Sequence, residues 1–179
     1  MTRRSRGREV ALQVLYQVEQ NAGMPAREIE QFIKRRLLGE PKLVEFTREL
    51  IAGVREHQPR IDEMIQGVAE NWRLDRMAAI DRNILRLGAY EVLYRGEVPP
   101  KVAINEALEL AKRYSTAQSS RFVNGILDRV LQIRDADTPS SDATATEDAA
   151  EAVSPDDASE TRPPDSGADA GAERTSPDE

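Results

Sequence analysis

From Asp135 onward the chain contains no Leu, Ile, Met or aromatic side chain, and Val153 is the one sizeable aliphatic. Ala, Asp, Glu, Ser, Thr and Pro fill most of that stretch. Such a composition cannot bury enough apolar surface to offset the entropy of ordering it. Any packed structure must therefore come from residues 1–134, and 135–179 is expected to be a disordered acidic tail. The same boundary divides the charge. Residues 1–134 hold 23 Lys and Arg against 18 Asp and Glu, a net +5, whereas the remainder holds two Arg against 14 acids, a net −12. The part that can fold is thus mildly basic, and four arginines (Arg3, Arg4, Arg6 and Arg8) crowd the first eight residues. A basic surface of this kind suits a polyanionic partner. The tail reads either as a solvating segment or as an intramolecular cover for the basic surface.

Apolar residues recur at helical spacing from residue 8 to 133, without the alternation of a strand. Val10, Ala11, Val14, Leu15 and Val18 mark a first helix over about residues 6–21. Ile29, Phe32, Ile33 and Leu37 mark a second, opened by Gly23 and Pro25. Leu43, Phe46, Leu50, Ile51 and Val54 mark a third, which should stop near His57. Pro59 suits the first turn of a fourth carrying Ile61, Ile65, Val68 and Trp72. Asp75 can cap a fifth with Ile80, Ile84, Leu87 and Tyr90. Pro99 and Pro100 open a sixth, a polar turn follows at 115–120, and the last helix carries Phe122, Val123, Ile126, Leu127 and Val130. Seven helices with short breaks predict an all-α bundle.

Catalytic chemistry has little to stand on, and no catalytic residue, cofactor or metal site is expected. Cys is absent, which excludes disulfides and thiolate metal sites. The single histidine, His57, falls at an expected helix end, where it reads as a cap or surface group. Acids sit among Arg and Lys at surface spacing, and no glycine-rich phosphate loop is present. The basic start runs into an amphipathic helix, so no signal peptide is expected, nor is a membrane span. The expected location is the cytoplasm.

Single-stranded RNA fits better. Glu9, Gln13, Tyr16 and Gln20 lie opposite the apolar face of the first helix. Arginines neutralise phosphates, an aromatic ring stacks on an unpaired base, and amides read base edges. Tyr16 could equally pack on a neighbouring helix. Phe122 presents the same choice between core and stacking surface, with Arg121 before it and Gln118, Ser119 and Ser120 at the helix start.

Four short blocks then stand out in order. They are Arg8-Glu9-Val10-Ala11-Leu12-Gln13-Val14-Leu15-Tyr16, Asp81-Arg82-Asn83-Ile84-Leu85-Arg86, Val98-Pro99-Pro100-Lys101-Val102-Ala103-Ile104-Asn105-Glu106-Ala107, and Phe122-Val123-Asn124-Gly125-Ile126-Leu127-Asp128. In these blocks the chain resembles the NusB family of bacterial transcription antitermination factors, over about residues 4–133 and not in the tail. The resemblance implies two packed helical subdomains and a non-enzymatic role. It implies binding of the boxA element of ribosomal RNA leader transcripts together with ribosomal protein S10. The assembly would act on RNA polymerase with other Nus factors. Positions matching the family's RNA surface are Arg3, Arg4, Arg6, Arg8, Gln13, Tyr16, Gln118, Ser119, Arg121 and Phe122. Asp75 and Asp81 match acidic positions for S10. Position 118 carries Gln where the best-known relatives carry an acid, a change that favours an anionic ligand.

Two other readings are weighed. One is a helical protein-interaction scaffold, or a homodimer, without specific RNA readout. The other is the helical N-terminal part of certain ribosomal RNA cytosine methyltransferases. That reading requires a long C-terminal Rossmann-like region, and here the helices are followed by a stretch that cannot fold.

Overall fold

The computed structural model describes residues 2–69 and 72–137. The tail was expected to begin at Asp135, but residues 135–137 continue the last helix; the rest of it, from 138 onward, lies outside the described residues. Thr2 opens the first helix, its hydroxyl oxygen accepting the Ser5 N–H at 3.1 Å. This side-chain cap starts α1 at Arg3–Gln20, earlier than periodicity predicts. The four arginines are accordingly the first turns of a helix, not a flexible arm. Pro25 precedes α2 (Ala26–Arg36). Leu38 and Gly39 then take positive φ values of 52° and 68°, ending that helix in a left-handed turn.

The next element corrects an expected break. One helix, α3 (Pro41–Val68), runs through Pro59 where two were expected. Pro59 lacks the N–H that would bond the Arg55 carbonyl. Both residues are exposed, so water can satisfy that oxygen. Beyond the proline, Ile61 and Ile65 are completely buried. Each contributes about 1.5–3 kcal/mol, enough together to outweigh the ~3 kcal/mol cost of an interior proline. His57 consequently sits inside a helix and stacks on Tyr94, with ring centroids 4.0 Å apart.

Asp75 caps no helix. It lies in a short 3-10 turn, Leu74–Arg76. Gln66 holds this turn, accepting the Leu74 N–H at 2.9 Å and donating to the Trp72 carbonyl at 3.1 Å. Then come α4 (Ala79–Tyr94), α5 (Pro100–Tyr114) and α6 (Ala117–Asp137). Among the described residues there are six α-helices and no strand, so the fold is all-α. None of these helices is long and apolar enough to cross a membrane.

Packing divides the helices into two groups, α1–α3 and α4–α6, joined where α4 crosses α3 and α1. The middle of α4, from Asn83 to Val92, is buried on all sides, as expected of a helix enclosed by neighbours. Gly53 of α3 makes one close crossing possible, because a Cβ there would collide with the Tyr90 ring. α1 is equally central. Val10, Ala11 and Leu12 are wholly inaccessible, so beyond its first turn α1 offers a ligand one side only.

Candidate nucleic-acid interface

By the 100° helical step, Arg6, Glu9, Gln13, Tyr16 and Gln20 share one side of α1, on which Arg6, Tyr16 and Gln20 are exposed, Gln13 is half-buried and Glu9 is buried. Arg6 stands one heptad before Gln13. The four N-terminal arginines do not act together. Arg3 turns to α3 and pairs with Glu40 at 3.1 Å. Arg4 lies 5.5 Å from the centroid of the Phe46 ring. Arg6 is exposed, 3.9 Å from the Glu9 carboxylate, and donates to the Arg36 carbonyl at 3.4 Å. Arg8 departs from its expected role. Its side chain is 3% exposed and forms two hydrogen bonds to buried Glu91, with Glu106 at 3.6 Å. A guanidinium enclosed in this way is a core group, not a phosphate contact.

The middle of the α1 face is tied to the end of α5. Gln13 Nε2 donates to the Tyr114 hydroxyl at 3.4 Å, and that hydroxyl donates to buried Glu9. Burial and the Glu9 carboxylate both push the Tyr114 phenol up, so it stays protonated and donates. Arg113 adds a cation 3.7 Å from Glu9. Tyr16, one turn beyond Gln13, is 39% exposed.

Tyr114 leads through Ser115 and Thr116 into α6, and Thr116 caps that helix by accepting the Ser119 N–H at 3.2 Å. The structure therefore brings Gln13 to the α5–α6 corner that carries the second group of expected residues. Gln118 and Arg121 are exposed there. Ser119 is not a surface group, since it is buried and its hydroxyl donates to Asp81 Oδ2 at 3.1 Å. Phe122 is half-buried, its ring 5.4 Å from that of Trp72 and tilted by 54°.

The two acids expected to meet a protein partner differ. Asp75 is exposed and held by a two-point contact from Arg73 at 2.9 and 3.1 Å. Asp81 is half-buried and faces inward to Ser119. Beside it, Glu19 of α1 accepts from Arg82, Asn83 and Arg86. Burial opposes the charged form of Glu19, yet the bonds from Arg82 and Asn83 and the neighbouring guanidinium charges hold its carboxyl below the ordinary value. Sequence reasoning missed Tyr114 and Trp72. Trp72 was expected on the apolar side of a helix and is instead 58% exposed beyond the end of α3.

Comparison with known proteins bears on this surface. The model of the NusB family matches residues 5–132. The chain belongs to the NusB family. The transcription antitermination protein NusB of Myxococcus xanthus (strain DK1622) is 48% identical over 133 residues, covering 73% of this chain and 95% of its own. T. maritima NusB superposes with a TM-score of 0.65 at 39% identity, covering 74% of this chain and 92% of that one. A solved structure of antitermination factors NusB and NusE in complex with double-stranded RNA shares the fold. There the TM-score is 0.67 at 24% identity, over 74% of this chain and 98% of that one. The family match stops before the acidic tail; it takes in Arg6, Gln13, Tyr16 and the 118–122 group, while Arg3 and Arg4 precede it.

Proposed function

We propose that the protein is a transcription antitermination factor that binds boxA-type single-stranded RNA of ribosomal leader transcripts together with ribosomal protein S10 (NusE). In this reading it joins a cytoplasmic assembly with other Nus factors on RNA polymerase. The observation that carries it is the Gln13–Tyr114 hydrogen bond. It joins the amide and aromatic face of α1 to the exposed start of α6. The structural neighbour with NusE and RNA supports the choice of partners. That neighbour holds a duplex, whereas an exposed ring such as Tyr16 beside the Gln13 amide favours unpaired bases.

The contact set is Arg3, Arg4, Arg6, Gln13, Tyr16, Gln118, Arg121 and Phe122. Arg8 and Ser119 support it from beneath. S10 docks on the side marked by Asp75, while Asp81 positions the start of α6 through Ser119. RNA titration tests the reading. Binding to a boxA-like strand tightens when S10 is added and weakens with salt, with a slope of about −0.7 per phosphate contact. Changing Arg4 and Arg6 to Ala flattens that slope and leaves S10 binding intact. Unchanged RNA affinity and slope in this variant would rule out the N-terminal basic surface.

A further inference from the structure

Between the end of α3 and the second to fourth turns of α6 lies a shallow groove of about 290 Å³, lined by Val68, Trp72, Arg121, Phe122, Gly125 and Arg129 among others. Its volume is at the small end for ligand sites, which suits one flat ring better than a whole cofactor. The described lining contains two arginines and no acid. Trp72 and Phe122 form its aromatic wall. The rings meet at a 54° tilt and Trp72 is 58% exposed, so Phe122 does not cover it.

Gly125 is an independent indication. Glycine weakens a helix interior, and where packing demands one, as at Gly53, a Cβ would strike a neighbour. At Gly125 an added Cβ would meet nothing within 4 Å, and the backbone conformation is an ordinary one. Among the described residues nothing accounts for the missing methyl group. A ligand lying on the helix backbone does, because glycine is the residue that permits close approach.

We propose that Trp72, Phe122 and Gly125 form a subsite for one unpaired nucleobase of the bound RNA, with Arg121 and Arg129 beside its flanking phosphates. This rests on the RNA-binding reading above and extends the strand's path past Phe122 to the end of α3. The base stacks on the open Trp72 face, the interaction that aromatic residues offer unpaired bases irrespective of sequence. Arg121 is exposed. Arg129 is anchored by a bond to the Val68 carbonyl at 3.2 Å, so its charge is fixed at the rim.

Trp72 is the sole tryptophan, so its fluorescence reports directly on this groove. The full chain is titrated with a labelled boxA-like RNA strand, with and without S10, reading RNA anisotropy and tryptophan emission together. Saturable quenching that tracks the anisotropy is expected. Trp72→Ala weakens binding at least about fivefold, Trp72→Phe recovers most of that loss, and both melt near the parent temperature. Gly125→Ala also weakens RNA binding, with a melting temperature equal to or above the parent's. Binding by anisotropy with unchanged emission, and parental affinity in Trp72→Ala, overturns the subsite while leaving the broader RNA-binding function standing. Absence of any anisotropy change overturns that function, and the subsite with it. Quenching by S10 alone, with S10 binding lost in Trp72→Ala, assigns the groove to the protein partner and overturns the subsite.

Discussion

Arg8 and Glu91 meet face to face in the core: Arg8 Nε and Nη2 donate to the two Glu91 carboxylate oxygens at 2.8 and 2.7 Å, with both side chains at most 3% exposed. The pair locks α1 to α4, and the Arg8 guanidinium also sits 5.4 Å from the Phe46 ring centroid. Breaking a buried pair from one side leaves the other charge without its partner. Arg8→Ala or Glu91→Gln should therefore destabilise the fold by about 3–5 kcal/mol. The measurement is the urea midpoint or melting temperature. Parental stability in either variant would show that the pair is not essential to the α1–α4 contact.

Gly53 makes a second packing prediction. Gly53→Ala places a methyl group inside the Tyr90 ring, and α3 and α4 must separate to accommodate it. The expected cost is about 1–3 kcal/mol. Tyr90→Leu in the same background should recover part of it. Recovery in the double variant, read from denaturation midpoints, identifies overpacking as the cause.

Helix identity was largely legible because apolar spacing is a local property: Val10, Val14 and Val18 declare α1 without reference to anything distant. Helix α3 was not legible as one element. Pro59 is a strong local stop signal, and only the tertiary burial of Ile61 and Ile65 overrides it. Arg8 carried a readable sign, since it lies one heptad before Leu15 and one turn before Leu12, on the core side. Its partner Glu91 is 83 positions away, and no local pattern reveals such a pair. The candidate surface was half legible. Tyr16 and Gln13 share a face by periodicity alone, whereas the link through Tyr114 and the pairing of Phe122 with Trp72 depend on helices meeting in space.

Acid should weaken the contact between α1 and α4 through Glu19. Its folded pKa lies below the ordinary 4.5, so its stabilising contribution is complete above about pH 4.5. That contribution is lost as pH falls through the lower folded value. Glu19→Gln removes the charged acceptor from Arg82 and Arg86. At neutral pH this should cost about 1–3 kcal/mol. Glu30 also titrates low, at about 2, through its bonds to Arg48 and Lys34, so the parent's acid curve is composite. The difference between parent and Glu19→Gln isolates the Glu19 part. That difference, from urea midpoints, should shrink between pH 5 and pH 3. A constant difference would place the effect in packing and not in ionisation.

Arg6 and Tyr16 share the open side of α1, and they should separate the charge and stacking contributions to RNA binding. Arg6→Ala removes an exposed cation, so the salt slope should become shallower by about 0.7 for a single-stranded ligand, with a proportionate loss of affinity at low salt. Tyr16→Ala leaves the charge unchanged. It should weaken binding by about 1–3 kcal/mol, the range for one stacked base, at a nearly unchanged slope. Because Tyr16 is 39% exposed, its removal should alter folding stability by no more than about 0.5 kcal/mol. A large drop in stability with parental RNA affinity would instead make the ring a packing element of α1. A changed slope in Tyr16→Ala would mean that the variant has shifted the whole contact surface, and the two contributions would then not be separable at this face.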